Sequence, residues 1–134
     1  MLISLVVPCY NEEESMPLFY AEASRVAAQM KESHGAEFEF IFVDDGSRDG
    51  TLRVARELHA KDERVRYISF ARNFGKESAI YAGLQASKGD YVAMLDADLQ
   101  DPPALLPEML DTLLTGEYDC AATHRTKDIT MIHP

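Results

Sequence analysis

The sequence predicts an α/β fold in which a mostly parallel sheet carries helices on both faces. The first observation is that short apolar runs alternate with helix-length amphipathic segments in the order βαβαβαβαβ, with short connections between them. Such alternation is typical of parallel sheets joined by right-handed crossovers. The second observation is that polar side chains follow four of the predicted strands. Because parallel strands end at one rim of a sheet, we expect these side chains to lie together there.

The predicted strands are short and rich in β-branched and aromatic residues, which indicates burial on both faces. Pro8 ends the first strand, and acidic pairs end the second and the fourth. The predicted strands are Leu2–Val7, Phe38–Val43, Val65–Phe70, Tyr91–Leu95 and Tyr118–Ala122. The tail from Thr123 to Pro134 shows no periodicity, and we expect no sixth element in it.

Four helices are predicted between these strands, because apolar residues recur at helical spacing. The first begins near Ser15 and ends at Gly35, the second begins at Thr51, the third ends near Gly89, and the fourth lies between Pro103 and Gly116. The residues expected to face inward are Phe19, Ala23, Val26 and Met30, then Val54, Ala55 and Leu58, then Ile80, Gly83 and Leu84, and finally Leu106, Met109, Leu110 and Leu113.

Composition limits the class of protein. With 134 residues, the chain forms one domain or part of one, and an apolar content of 46% is enough for a core. A net charge of −10 argues against a nucleic-acid-binding surface, which would be basic. Cys9 and Cys120 lie in apolar runs, so we expect both to be buried free thiols in a reducing compartment. We expect no signal peptide, and no apolar run approaches the length of about 20 residues that a spanning helix needs.

The two carboxylates that end the fourth strand, Asp96 and Asp98, are the most informative pair. No basic residue near them in sequence offers to neutralise them. Hard oxygen ligands suit Mg²⁺ or Mn²⁺, and such ions usually share their coordination with substrate phosphates. The pair therefore predicts a metal–diphosphate site. The alternative is that both residues only cap the loop and the helix that follows.

Other strand ends carry residues with similar alternatives. Each could bind a ligand or have a local structural role. Asp44 and Asp45 could accept hydrogen bonds from a ribose or a base, or form a turn and a helix cap. Tyr10 could stack on a base or cover the rim, and Glu12 could accept from a base or sugar or remain in solvent. Arg72 and Lys76 could neutralise phosphate oxygens or remain in solvent. Gln100 could contact the diphosphate or cap the loop. Lys76 in a first helical turn opposes the helix dipole, so an anionic partner would stabilise it.

Three segments follow one another in the order Val6–Glu12, Phe42–Thr51 and Asp96–Pro103. Taken together, they resemble the motifs of family 2 glycosyltransferases. A fourth segment, Arg72–Ile80, favours the polyprenyl-phosphate branch of that family. It covers about residues 3 to 125. The resemblance implies a Rossmann-like GT-A fold and transfer of a hexose from a nucleotide-diphospho-sugar, similar to UDP-glucose, to a polyprenyl phosphate. No dinucleotide-binding, P-loop or hydrolase-elbow motif is present to favour another class.

The resemblance also implies roles for individual residues. Asp96 and Asp98 would form the Asp-x-Asp motif, with Asp98 a metal ligand and Asp96 on the metal or the ribose. Gln100 would lie near the diphosphate. The residues expected around the nucleotide are Pro8, Tyr10, Glu12, Val43, Asp44, Asp45 and Ala97.

The family's acceptor-binding half follows the fifth strand, and Thr123 and Arg125 lie where its phosphate-binding segment could begin. We therefore interpret residues 1–125 as a donor-binding domain and residues 126–134 as a tail outside the family pattern, in a truncated chain. A cytoplasmic protein at the inner face of the membrane is expected, with self-association through an exposed sheet edge. Two alternatives remain open here: a nucleotide-binding remnant without activity, and a nucleotidyltransferase.

Overall fold

The computed structural model describes residues 1–100, 102–122 and 129–134, so Asp101, Thr123 and Arg125 lie outside the described residues. The predicted boundary at residue 125 falls in the same gap and stays a prediction. The elements are β1 (Leu2–Cys9), α1 (Ser15–His34), β2 (Glu37–Asp44), α2 (Thr51–Lys61), β3 (Val65–Ser69), α3 (Lys76–Ala86), β4 (Tyr91–Met94), a 3₁₀ turn (Pro103–Leu105), α4 (Leu106–Leu114), β5 (Cys120–Ala122) and β6 (Thr130–Ile132).

The strands form one sheet in the order β3-β2-β1-β4-β6-β5. The first four strands are parallel, as predicted, and β1 pairs with β2 along its full length, so that Cys9 lies opposite Asp44. On the other side, β1 pairs with β4, and Val6 lies opposite Met94. The carboxyl ends of β1, β2 and β4 therefore meet at one rim.

The expectation of no sixth element was wrong. Residues Thr130–Ile132 form β6, which lies between β4 and β5 and is antiparallel to both. This strand has three residues, too few to show a periodicity, and it is held by pairing with residues far away in sequence, such as Val92 with Ile132. The sheet is thus parallel over its larger part and antiparallel at one side.

Two cores cover the two faces of the sheet. The larger core joins the sheet to α1, α2 and α4, and every apolar residue predicted to face inward from these helices is buried. The smaller core contains Ile41, Val43 and Ala79 under α3. Ile80 and Leu84 are only partly buried, because α3 approaches β1 through Gly83, where a Cβ atom would lie 2.3 Å from Val6 Cγ1.

The prediction that both cysteines are buried was half wrong. Cys9 is buried in β1, whereas Cys120 is exposed because β5 is the outermost strand of the sheet. Within the described part of the chain, no helix combines the length and apolar character that crossing a bilayer requires.

Candidate functional site

A cleft of about 140 Å³ opens at the rim where β1, β2 and β4 end. Six of its seven lining residues were predicted as site residues from the sequence, among them Asp96, the first acid of the Asp-x-Asp motif. The cleft is lined by Pro8, Cys9, Tyr10, Glu12, Asp45, Lys76 and Asp96. The expected convergence of strand ends from distant parts of the sequence is therefore observed.

A second, smaller cleft of about 90 Å³ adjoins the first. Its other lining residues come from α3, from the end of β4 and the residue after it, and from β6, and they are Ile80, Met94, Leu95 and Thr130. Pro8, Lys76 and Asp96 line both clefts. These three residues therefore form the junction between the cleft beside Tyr10, here named the polar cleft because it carries three acidic side chains, and the cleft beside β6.

Hydrogen bonds between two loops fix the residues on either side of Asn11. Asn11 adopts a left-handed backbone conformation with φ of 53°. Its amide donates to Ser47 Oγ at 2.9 Å, and its side-chain oxygen accepts from the amide of Arg48 at 2.9 Å. The amide of Glu12 donates to Thr51 Oγ1. The loop after β1 is thus held on the loop after β2, which orients Tyr10 and Glu12 along the cleft.

Asp45 both lines the cleft and organises the loop before α3. Its carboxylate accepts hydrogen bonds from the amides of Phe74 at 2.8 Å and Gly75 at 3.1 Å, and from Asn73 Nδ2 at 3.2 Å. Gly46 lets this loop approach, because a Cβ atom there would lie 2.2 Å from the Arg72 carbonyl carbon. Asp45 therefore holds the loop that precedes α3, since its three partners all lie before the first helical residue, Lys76.

The carboxylate of Asp96 is bound by the ammonium group of Lys76. The Nζ atom lies 2.7 Å from Oδ1 and 2.9 Å from Oδ2. The Asp96 side chain is 22% exposed and that of Lys76 is 56% exposed. The two residues are twenty positions apart in sequence, and the fold brings them together at the junction of the two clefts.

Asp98, the second acid of the motif, is exposed. Its Oδ1 accepts a hydrogen bond from the amide of Gln100 at 3.2 Å, around Leu99, whose φ is +62°. This bond lies within the loop, and neither the 3₁₀ turn nor α4 has a side-chain cap. The other carboxylate oxygen of Asp98 has no partner among the described residues. Asp98 and Gln100 do not line either cleft, although both belong to the same loop as Asp96.

Four other predicted residues lie behind or beside the clefts. Val43 and Ala97 are buried in the two hydrophobic cores. Asp44 is buried, and its Oδ1 accepts from the amide of Ser47 in the turn after β2. Arg72 is exposed, and its guanidinium lies 4.5 Å from the centre of the Phe74 ring.

Sequence reasoning missed three residues of the site. Cys9 contributes to the polar cleft, Asn73 holds Asp45, and Thr130 enters the second cleft from β6. Cys9 precedes Tyr10 on the strand end that was singled out, so its position could have been inferred. Nothing in the sequence signals Thr130, because its strand is formed by tertiary pairing.

The cleft is acidic. Burial raises the pKa of the Cys9 thiol well above its ordinary value, and the negative charges of Glu12, Asp44 and Asp96 raise it further. An acidic cleft attracts cations, and Asp96 already holds one in the form of the Lys76 ammonium. In the described ranges, however, no three His, Cys, Asp or Glu side chains converge to bind a metal ion. The acids present fit a divalent ion only if phosphate oxygens complete its coordination, as is usual for Mg²⁺.

Solved structures with the same architecture define the class of fold. The chain is similar to S. aureus TarS (residues 1–349) with a TM-score of 0.72 and 23% identity, over 91% of this chain and 35% of that fragment. It is also similar to glucosyl-3-phosphoglycerate synthase from Mycobacterium tuberculosis, solved with Mn²⁺, UDP and phosphoglyceric acid. There the TM-score is 0.62 and the identity 29%, over 90% of this chain and 42% of the synthase. The fold is the GT-A fold of glycosyltransferases.

The sequence comparison defines the family. Residues 4–133 match Glycosyl transferase family 2, and the chain belongs to this family. It is 41% identical over 116 residues to a prophage bactoprenol glucosyl transferase homolog of Escherichia coli, which covers 87% of this chain and 37% of that protein. It is 42% identical over 116 residues to the bactoprenol glucosyl transferase of Shigella phage SfX, over 87% of this chain and 37% of that protein. The chain thus spans little more than a third of these relatives.

Proposed function

We propose that this chain is the donor-binding part of a glycosyltransferase that moves a hexose from a nucleotide-diphospho-sugar, of the UDP-glucose type, to a polyprenyl phosphate. The observation that carries the proposal is the acidic cleft lined by Tyr10, Glu12, Asp45 and Asp96, in a chain of this family. The names of the bactoprenol glucosyl transferases support the lipid acceptor and the glucosyl group. The UDP in the mycobacterial synthase structure supports a uridine nucleotide.

In this proposal the polar cleft receives the nucleoside. Tyr10 offers an exposed ring on which a base can stack, and Glu12 offers carboxylate oxygens that accept from base or ribose groups. Asp45 is assigned to the wall of the same cleft, because its carboxylate already accepts hydrogen bonds from Asn73, Phe74 and Gly75. Pro8 lines both clefts, and Val43, Asp44 and Ala97 are buried near the strand ends that form the rim. The hydrogen bonds of Asn11 hold the loop in place before a ligand arrives.

The diphosphate is assigned to the junction of the two clefts, beside Lys76 and Asp96. Asp96 and Asp98 would hold Mg²⁺ or Mn²⁺ together with phosphate oxygens, and the Mn²⁺ in the mycobacterial synthase structure supports this assignment. Such an ion, when bound, neutralises the charge that develops on the departing nucleoside diphosphate. Lys76 would contribute a charge-assisted hydrogen bond to the same oxygens, and we assign Arg72 and Gln100, in the loops before α3 and after Asp98, to further contacts with the diphosphate.

Calorimetry tests donor binding on the chain as it stands. We expect UDP to bind the folded protein more tightly with Mn²⁺ than without it, and GDP to bind less tightly than UDP. A folded sample that gives no heat with either nucleotide, with and without Mn²⁺, overturns the proposal. Transfer of labelled glucose from UDP-glucose to polyprenyl phosphate then separates an enzyme from a domain that only binds the nucleotide.

Two further expectations stay predictions. One is a cytoplasmic location at the inner face of the membrane. The other is self-association through a sheet edge, for which the two edges of the sheet are β3 and β5. Sedimentation of the chain over a range of concentrations measures the second expectation.

A further inference from the structure

The ion pair between Lys76 and Asp96 has features that set it apart from a common surface ion pair. One ammonium contacts both oxygens of the carboxylate, at 2.7 and 2.9 Å, and the carboxylate is largely shielded from solvent. Lys76 is also the first residue of α3, where a positive charge opposes the helix dipole. Asp96 therefore compensates a lysine that its own helix disfavours.

The same carboxylate is the one that the proposed function assigns to a divalent ion. A metal ion that approaches Asp96 alone must first displace the ammonium, and so loses the free energy of the ion pair. Lys76 lies at the junction of both clefts, so a diphosphate bound there offers the displaced ammonium new anionic oxygens. The amino end of α3 also favours an anion at that place.

We infer that Lys76 is a tethered cation that occupies Asp96 until a nucleoside diphosphate takes over its ammonium group, and that it thereby couples metal binding to nucleotide binding. This inference rests on the proposed function. By thermodynamic linkage, the nucleotide strengthens metal binding by the same factor as the metal strengthens nucleotide binding. Lys76 also supplies a positive charge to Asp96 when no ligand is bound.

Calorimetry on the Lys76→Met variant measures this coupling. We expect Mn²⁺ alone to bind the variant about fivefold more tightly than the wild type, which corresponds to the loss of one partly exposed ion pair. The ratio of Mn²⁺ affinities with and without UDP should fall by about the same factor. Lys88→Met is the matched control, because it removes the same charge from an exposed lysine just beyond the other end of α3 and should change neither quantity.

Amine reactivity provides a second measurement on the wild-type chain and requires no substitution. Reductive methylation of Lys76, followed by mass spectrometry, should accelerate when saturating Mg²⁺ is added and slow below its starting rate when UDP is added as well. The reactivity of Lys88 serves as the internal standard.

The outcomes separate the inference from the proposed function. If UDP and Mn²⁺ bind, but Lys76→Met and Lys88→Met show the wild-type Mn²⁺ affinity and coupling ratio, the inference is wrong and the proposed function stands. If Mg²⁺ leaves the methylation rate of Lys76 unchanged, the inference is also wrong. If folded wild-type protein binds no UDP under any condition, both fail.

Discussion

Two acidic sites lie at opposite ends of the same sheet and differ in how their charges are satisfied. Near the amino end of β2, Glu39 accepts from Ser4 Oγ at 2.5 Å, from the amide of Lys88 at 2.7 Å and from Arg66 Nη1 at 2.9 Å. Beyond the carboxyl end of β4, the one described partner of Asp96 is the half-exposed side chain of Lys76, and the only described partner of Asp98 is a neighbouring amide.

The difference between Glu39 and the two aspartates shows how burial and hydrogen bonding distinguish a structural carboxylate from one that can bind a ligand. Glu39 is 8% exposed, and each of its carboxylate oxygens has a protein donor, so it stabilises the fold and offers no site for a ligand. Asp96 and Asp98 at the opposite rim retain unused lone pairs, which is the arrangement that a ligand can complete. Breaking each site should therefore have opposite effects on stability and on binding.

The largest effect, on stability, is expected at Glu39, whose carboxylate oxygens all have protein donors. Glu39→Ala leaves Ser4 and the amide of Lys88 without an acceptor and Arg66 without its counter-ion. We expect a loss of about 2–4 kcal/mol in the free energy of unfolding, measured by urea denaturation. The affinity of the remaining folded protein for UDP should not change.

The control for this variant is Glu57→Ala, which removes an acid from a solvent-exposed ion pair with Arg53. It should change stability by less than about 0.5 kcal/mol. If both substitutions have the same small effect, the Glu39 network does not stabilise the fold as the comparison requires.

An intermediate effect, on ligand binding alone, is expected at Asp98, at the opposite rim of the sheet. Asp98→Asn keeps the shape of an exposed side chain and its acceptor for the amide of Gln100, but it removes the negative charge. We expect the Mn²⁺-dependent affinity for UDP to fall at least about tenfold, with stability within about 0.5 kcal/mol of the wild type. An unchanged Mn²⁺ dependence in calorimetry contradicts the assignment of Asp98 to the metal.

The smallest effect concerns acid stability. Burial alone raises the pKa of Glu39, but hydrogen bonds from Ser4, the Lys88 amide and Arg66 outweigh it and hold the pKa below the ordinary value of 4.5. A carboxyl with a lowered pKa in the folded state stabilises the protein above its unfolded pKa, and this contribution disappears as the pH falls through the folded pKa. Between about pH 5 and pH 3, the free energy of unfolding of Glu39→Gln should therefore fall less than that of the wild type. Urea denaturation at several pH values measures this, and two parallel plots of unfolding free energy against pH refute it.

The sequence predicted the parallel part of the sheet and the inward faces of α1, α2 and α4, because long amphipathic helices and apolar strands carry a local signal. It did not predict β6, since the three residues Thr130–Ile132 become a strand only through pairing with β4 and β5. The orientation of α3 was only partly predicted, because contact at Gly83 rather than a wide apolar stripe decides it.

The site was predictable as far as its position depends on strand ends. Tyr10, Glu12, Asp45 and Asp96 meet at one cleft because parallel strands end at one rim. The contact between Lys76 and Asp96 was not foreseen, since the residues are far apart in sequence and each was interpreted through its own neighbours. That Val43 and Ala97 are buried in the cores is likewise a property of the packed sheet.

The two thiols of the chain differ enough to allow chemical labelling at a single position without mutagenesis. Cys9 is buried and its pKa is raised, so little thiolate forms at neutral pH, whereas Cys120 is exposed on the outermost strand. A maleimide fluorophore should therefore attach to Cys120 and leave the cleft unmodified. The labelled protein could be immobilised or followed optically during titrations with nucleotides.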